Sequence, residues 1–158
     1  MGEGERVRRL TPQQEAVFPR LAEADYEVTS EASTQYNCVA YAAGDTSRKW
    51  DCPPVPQPGY YWPPDAQCGQ DVEALRNAFE SIGYQICENG ELEEGFDKIA
   101  LYADAGGEWQ HAAKQVGLGH WSSKLGDWED IRHATVEAIS GSDYGEVTCY
   151  MRRRRPST

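Results

Sequence analysis

The sequence predicts an α+β fold, with short helices in the N-terminal half and a meander of antiparallel strands after them. Three observations lead there. Val72, Leu75, Phe79 and Ile82 recur at helical spacing between Asp71 and Gly83. From Phe96 onward, short apolar alternations are separated by glycine turns, Asp104-Ala105-Gly106-Gly107 and Gly117-Leu118-Gly119. The length of 158 residues, with 39% hydrophobic content, suits one domain with its own core. Helices and strands in separate runs mark α+β rather than alternating α/β.

Each element follows from local signals. Thr11-Pro12-Gln13-Gln14 starts a helix: Thr11 caps, Pro12 suits the first position, and Gln14 reaches back. Pro19 ends or kinks it. Residues 25–36 read as extended or looped. A short helix spans Asn37 to Ala43 and stops at Gly44. Residues 45–70 lack periodicity and interleave prolines with Tyr60, Tyr61 and Trp62. Such a loop either packs its aromatics over the core or walls a cleft. Asp71 caps the next helix. Strands follow at Tyr84–Cys87, Phe96–Ala103, Trp109–Val116 and His120–Leu125. A late helix is expected from Trp128 to Ile139, and a last strand from Tyr144 to Met151.

Charge and cysteine usage narrow the function classes. The net charge is -11, which disfavours general nucleic-acid binding. Arg152 to Arg155 form a short basic tail, read as solvated. No apolar run reaches bilayer-spanning length, and the N-terminus lacks an apolar signal-peptide core. A cytoplasmic location and no membrane partner are therefore expected. Five cysteines, an odd count, argue for reduced thiols. No C-x-x-C pair supports a structural zinc, and no motif implies a cofactor. A Cys/His metal site from Cys38, His111 and a further cysteine lacks ligand spacing.

Cys38 opens the Asn37–Ala43 helix. Helix N–H groups lower a thiol pKa and can hold an oxyanion. The alternative is a cysteine packed as a small hydrophobe. A nucleophile needs a base, and His111, inside the strand Trp109–Val116, is the candidate. Its face is read as carrying Trp109, Ala113 and Gln115. His120 sits at a turn and His133 in the late helix. Lys124, adjacent to Ser123, is expected to pair with a carboxylate or reach solvent.

The segments YNCVAYAAGDTSRKW, YYWPP, FDKIALYADAGGEWQHAAKQ and HWSSKLGDWEDIRH resemble a family of small uncharacterised bacterial proteins. Its pattern runs Y-N-C-[IV]-A-[WY]-A, Y-W-P, H-A-A-[KR]-Q and W-[TS]-S-K-L-G, over about residues 34 to 150. The layout is more distantly similar to papain-like cell-wall amidases and endopeptidases. That likeness implies a compact core in which the Cys-bearing helix packs on an antiparallel sheet of about five strands. It implies Cys38 as nucleophile and His111 as base. Gln35, Asn37, Ser123 and Asp127 become candidates for oxyanion or orienting roles, and Tyr60, Tyr61, Trp62 and Trp109 for the cleft. The expected organisation is a helix and lead-in over 1–33, the papain-like core over 34–151 with its loop at 51–64, and a flexible basic tail over 152–158.

Two functions follow. One is a cysteine hydrolase, amidase, deamidase or acyltransferase acting on a peptide, amide or acyl substrate through a Cys38–His111 dyad. The other is a non-catalytic acidic protein that binds or neutralises a basic protein partner, with Cys38 in its core.

Overall fold

A computed structural model describes residues 8–52 and 58–156. Pro53, Pro54 and Pro56 of the expected loop, the first seven residues and the last two lie outside those residues. Three α-helices are present among the described residues: α1 (Pro12–Glu15), α2 (Cys38–Ala43) and α3 (Val72–Glu80). The strands are β1 (Tyr26–Val28), β2 (Lys49–Trp50), β3 (Tyr60–Tyr61), β4 (Gln85–Cys87), β5 (Phe96–Ala103), β6 (Trp109–Gln115), β7 (Trp121–Lys124), β8 (Asp130–His133) and β9 (Glu146–Arg154).

Seven strands form one antiparallel sheet in the order β1-β8-β7-β6-β5-β9-β4, and β2 and β3 form a small parallel pair. Strand alternation sends successive side chains to opposite faces, so both faces are buried. On the front face, Val39, Ala40, Leu75 and Phe79 from α2 and α3 meet Ile99, Leu101, Ala112 and Met151. On the back face, Phe18, Leu21 and Ile139 meet Ala100, Tyr102, Ala113, Trp121 and Ile131. Fully burying a side chain such as Leu75, Phe79 or Ile131 contributes about 1.5–3 kcal/mol.

The helix ends follow their caps. Asp71 accepts from the Ala74 N–H at 2.9 Å. Thr11 and Gln14 form the expected capping box. Gly44 closes α2 at φ 89°, a left-handed conformation that suits glycine.

The fold corrects the α+β expectation of a helix packed on about five strands. The molecule is mostly sheet, with few and short helices. The largest single difference is the expected helix from Trp128 to Ile139. Its first half is β8, where Ile131 and His133 face inward and Arg132 does not, and its second half is a 3-10 turn over Val136–Ile139. Ile131 and His133 lie two residues apart on the same inward face, which is the period of a strand and not of a helix. The looped lead-in contains β1, which pairs with β8. The C-terminal arginines are also placed: Arg152, Arg153 and Arg154 belong to β9, and Arg155 ion-pairs with Asp97 at 2.9 Å.

Candidate functional site

Cys38 occupies the first position of α2, as its sequence suggests, and is 7% exposed. Burial pushes its thiol up to about 11. The N–H groups of Ala112, Val39 and Cys38 itself act the other way and are outweighed. The helix-start effect is thus present, but removal from water dominates it. Asn37 is a structural cap. Its side chain accepts from Ala40 N and Trp50 N, each at 3.0 Å, and donates to Trp50 O at 2.8 Å. Those bonds fasten α2 to β2 and occupy the side chain that an oxyanion would need.

His111 lies on the other side of the sheet. Its ring stacks on Tyr144 at 4.2 Å and meets the edge of Tyr102 at 5.2 Å, both back-face residues. Ala112, which contributes the N–H to the Cys38 thiol, packs in the front cluster. Neither His111 ring nitrogen has a hydrogen-bond partner among the described residues. Burial holds the imidazole well below its ordinary pKa, hence neutral. The structure therefore does not bring thiol and imidazole together: the sheet stands between them.

A bulge explains a second difference. Tyr102 pairs with His111 and Ala103 with Trp109, so Gln110 is passed over. One extra residue reverses the alternation. Trp109 consequently joins the front cluster with Cys38 instead of sharing a face with His111. There it stacks on Trp62 at 6.1 Å, and Tyr61 packs on Trp50 at 5.1 Å. Three of the four expected cleft residues, Tyr61, Trp62 and Trp109, thus gather in the cluster that holds Cys38. Tyr60 points outward and is 38% exposed.

The remaining candidates are dispersed. Gln35 is exposed and lines a shallow depression with Arg48, Lys49 and Tyr60. Ser123 is on the back face, where its Oγ bonds His133 Nε2 at 2.8 Å. His133 Nδ1 donates to Thr135 O at 2.8 Å, and burial lowers its pKa to about 4. Ser123 therefore serves His133, a buried structural histidine. Asp127 is exposed and ion-pairs with Lys49 at 3.6 Å. Cys52 and Cys68 are joined in a disulfide with Cα atoms 5.7 Å apart, which corrects the expectation of five reduced thiols.

A polar cluster under α2 went unread in the sequence. Lys124 is 0% exposed, donates to Trp128 O, and lies 5.2 Å from the Tyr36 ring centre. Tyr36 donates to Asp130 Oδ2 at 2.9 Å, and Tyr41 bonds Ser122 at 2.7 Å. Burial lowers the Lys124 pKa, against the pull of Asp130. The signal was the alternation in Trp121-Ser122-Ser123-Lys124, which sends Ser122 and Lys124 to the helix side.

Among the described residues, no helix is long and apolar enough to cross a membrane, and no three His, Cys, Asp or Glu side chains are grouped to hold a metal ion. No curated protein and no solved structure matches the chain. Residues 27–152 match a family described as "Domain of unknown function (DUF7689)". The sequence span that carries Cys38, both faces of the sheet and nearly all of β9 is thus that uncharacterised domain, and the chain belongs to the DUF7689 family.

Proposed function

We propose that this chain is a non-catalytic binding protein whose acidic surface takes a basic protein partner. One observation carries the reading: its positive charge is used up internally. Among the described residues, every lysine and arginine except Lys114, Lys124 and Arg154 is ion-paired to a carboxylate. Lys124 is buried, Lys114 lies over the Tyr41 ring, and Arg154 lies over Phe96. Exposed Glu23, Glu73, Glu88, Glu91, Glu94 and Glu108 have no ion pair among the described residues. Such pairs add little stability, but they leave a surface field of one sign, which steers basic partners.

The thiol-enzyme reading ranks second. It keeps one favourable observation, Cys38 at a helix start beside aromatic side chains. It lacks a base, since His111 is on the opposite face. The Cys52–Cys68 disulfide suits an oxidising compartment, so a cytoplasmic location is not carried into the proposal.

The test is titration with a panel of small basic and small acidic proteins at about 0.15 M salt, where the Debye length is ~8 Å. Binding confined to basic proteins, and weakened by added salt, is expected. Equal binding to acidic proteins, or none to any basic one, would overturn the reading.

A further inference from the structure

Among the described residues the exposed large hydrophobic side chains are Tyr60, Ile86 (54%), Leu92 and Leu118, and of these the two leucines lie on adjoining loops. Leu92 is 58% exposed and Leu118 88% exposed. They lie on separate loops that meet: a Cβ placed on Gly119 would sit 3.9 Å from the Leu92 Cβ. Leu118 also adopts φ 63°, in the left-handed region that a leucine rarely enters. Glycines flank it on both sides, so the chain holds its least suited residue in the strained position and displays it to water. Neither core packing nor solubility explains that choice. Strain persists where the surroundings enforce it, and it concentrates at functional positions.

The surroundings do enforce it. The Leu118 turn is closed by Val116 N donating to His120 O at 2.7 Å and His120 N to Gly117 O at 3.2 Å. The loop bearing Leu92 is pinned at several points. Gly90 lies so close to the back face that a Cβ there would fall 2.6 Å from the Tyr150 ring and 2.9 Å from Trp121. Gln115 donates to Gly90 O at 2.7 Å, and Lys98 to Asn89 O at 3.2 Å. Glu93 turns inward to Arg152 and Lys98. The neighbouring Glu88, Glu91 and Glu94 stay exposed. The result is a fixed apolar knob with carboxylates on its own loop.

We propose that Leu92 and Leu118 form the docking surface for a basic amphipathic segment of the partner protein. Its apolar side chains would cover the two leucines, and its lysines or arginines would meet Glu88, Glu91 and Glu94. Charge complementarity selects this occupant over a second copy of the chain, which would bring like charge, and over an anionic membrane. The inference rests on the acidic-binding reading and adds its location. Preorganised loops lose little freedom on binding, which favours such a surface.

The probe is a synthetic peptide of about four helical turns, with leucine on one face and lysine on the other. A scrambled peptide of equal composition and a leucine–glutamate analogue are the controls. Calorimetry should show the patterned basic peptide binding about tenfold tighter than the scrambled one. The double variant Leu92→Ser/Leu118→Ser should lose about that factor, while Gln13→Ser, at an exposed position on α1, stays within roughly twofold. Leu118→Gly alone should weaken binding several-fold while keeping or raising the melting temperature, an outcome no merely structural role gives. Unchanged binding by the double leucine variant overturns the location and leaves the acidic-binding reading standing. Failure of every basic peptide to bind wild type overturns both. Self-association abolished by the leucine substitutions would make a second copy the occupant and reject the proposal.

Discussion

Acidification from pH 7 to pH 5 should destabilise the fold through its buried histidines. His133 is fully buried, donates from Nδ1 to Thr135 O and bonds Ser123 through Nε2. Burial lowers its pKa from 6.5 to about 4. The unfolded chain therefore takes up the proton first as pH falls. The stability that this histidine contributes is complete above about pH 6.5, declines through the window down to about pH 4, and is lost below it. The full shift corresponds to about 3 kcal/mol, and the part realised between pH 7 and pH 5 to about 2 kcal/mol. For a chain of this size that lowers the melting temperature by roughly 4–8 °C. His111, also buried and neutral, adds a loss of the same sign. The assay is urea unfolding at half-unit pH steps, in wild type and His133→Gln. The variant should start less stable and lose about 1.4 kcal/mol per pH unit from its slope, the value for one proton. A wild-type slope near zero between pH 7 and pH 5, or an equal slope in His133→Gln, would refute the burial argument.

Other perturbations separate the structural roles. Asn37→Ala removes a helix cap and both ties to Trp50, so urea unfolding should show a loss of about 1–3 kcal/mol. Cys38→Ser replaces a buried thiol with a more polar hydroxyl in the front core and should cost about 1–3 kcal/mol in the same assay. Reducing the Cys52–Cys68 disulfide, whose cysteines are 16 residues apart, should lower stability by about 3 kcal/mol. Intact mass after alkylation in denaturant without reductant should count three labelled thiols, Cys38, Cys87 and Cys149; five would contradict the bridge.

Legibility in the sequence followed the range of the determining interaction. Caps act within one turn, so Thr11, Asn37 and Asp71 marked their helices correctly, and Gly44 marked an end. The long alternating strands β5 and β6 were legible for the same reason. The region from Trp128 to Ile139 was not, because its apolar residues divide between a strand and a 3-10 turn whose partner, β1, lies about a hundred residues earlier. Cys38 was placed correctly on its helix, but its reactivity depends on burial by Trp50, Leu101 and Ala112, which no local pattern reports. The facing of Trp109 relative to His111 turned on the bulge at Gln110, set by cross-strand pairing with β5. Simple alternation across that residue put Trp109 on the wrong face. Lys124 was misread for a different reason: its strand position was legible, but a lysine is ordinarily solvated. The pairing of Cys52 with Cys68 depends on loop closure, which spacing alone does not determine.

The central claim is that Cys38 and His111 are separate structural residues on opposite faces of one sheet. Site-resolved alkylation of Cys38 in the native protein from pH 5 to pH 9, in wild type and His111→Ala, tests it most directly. Cys87 and Cys149 serve as internal references. Slow labelling at every pH, accelerated only under conditions that unfold the chain and independent of His111 in the folded state, is the predicted result. Fast labelling well below the ordinary thiol pKa, abolished by His111→Ala, would show a coupled thiolate–imidazolium pair and contradict the account.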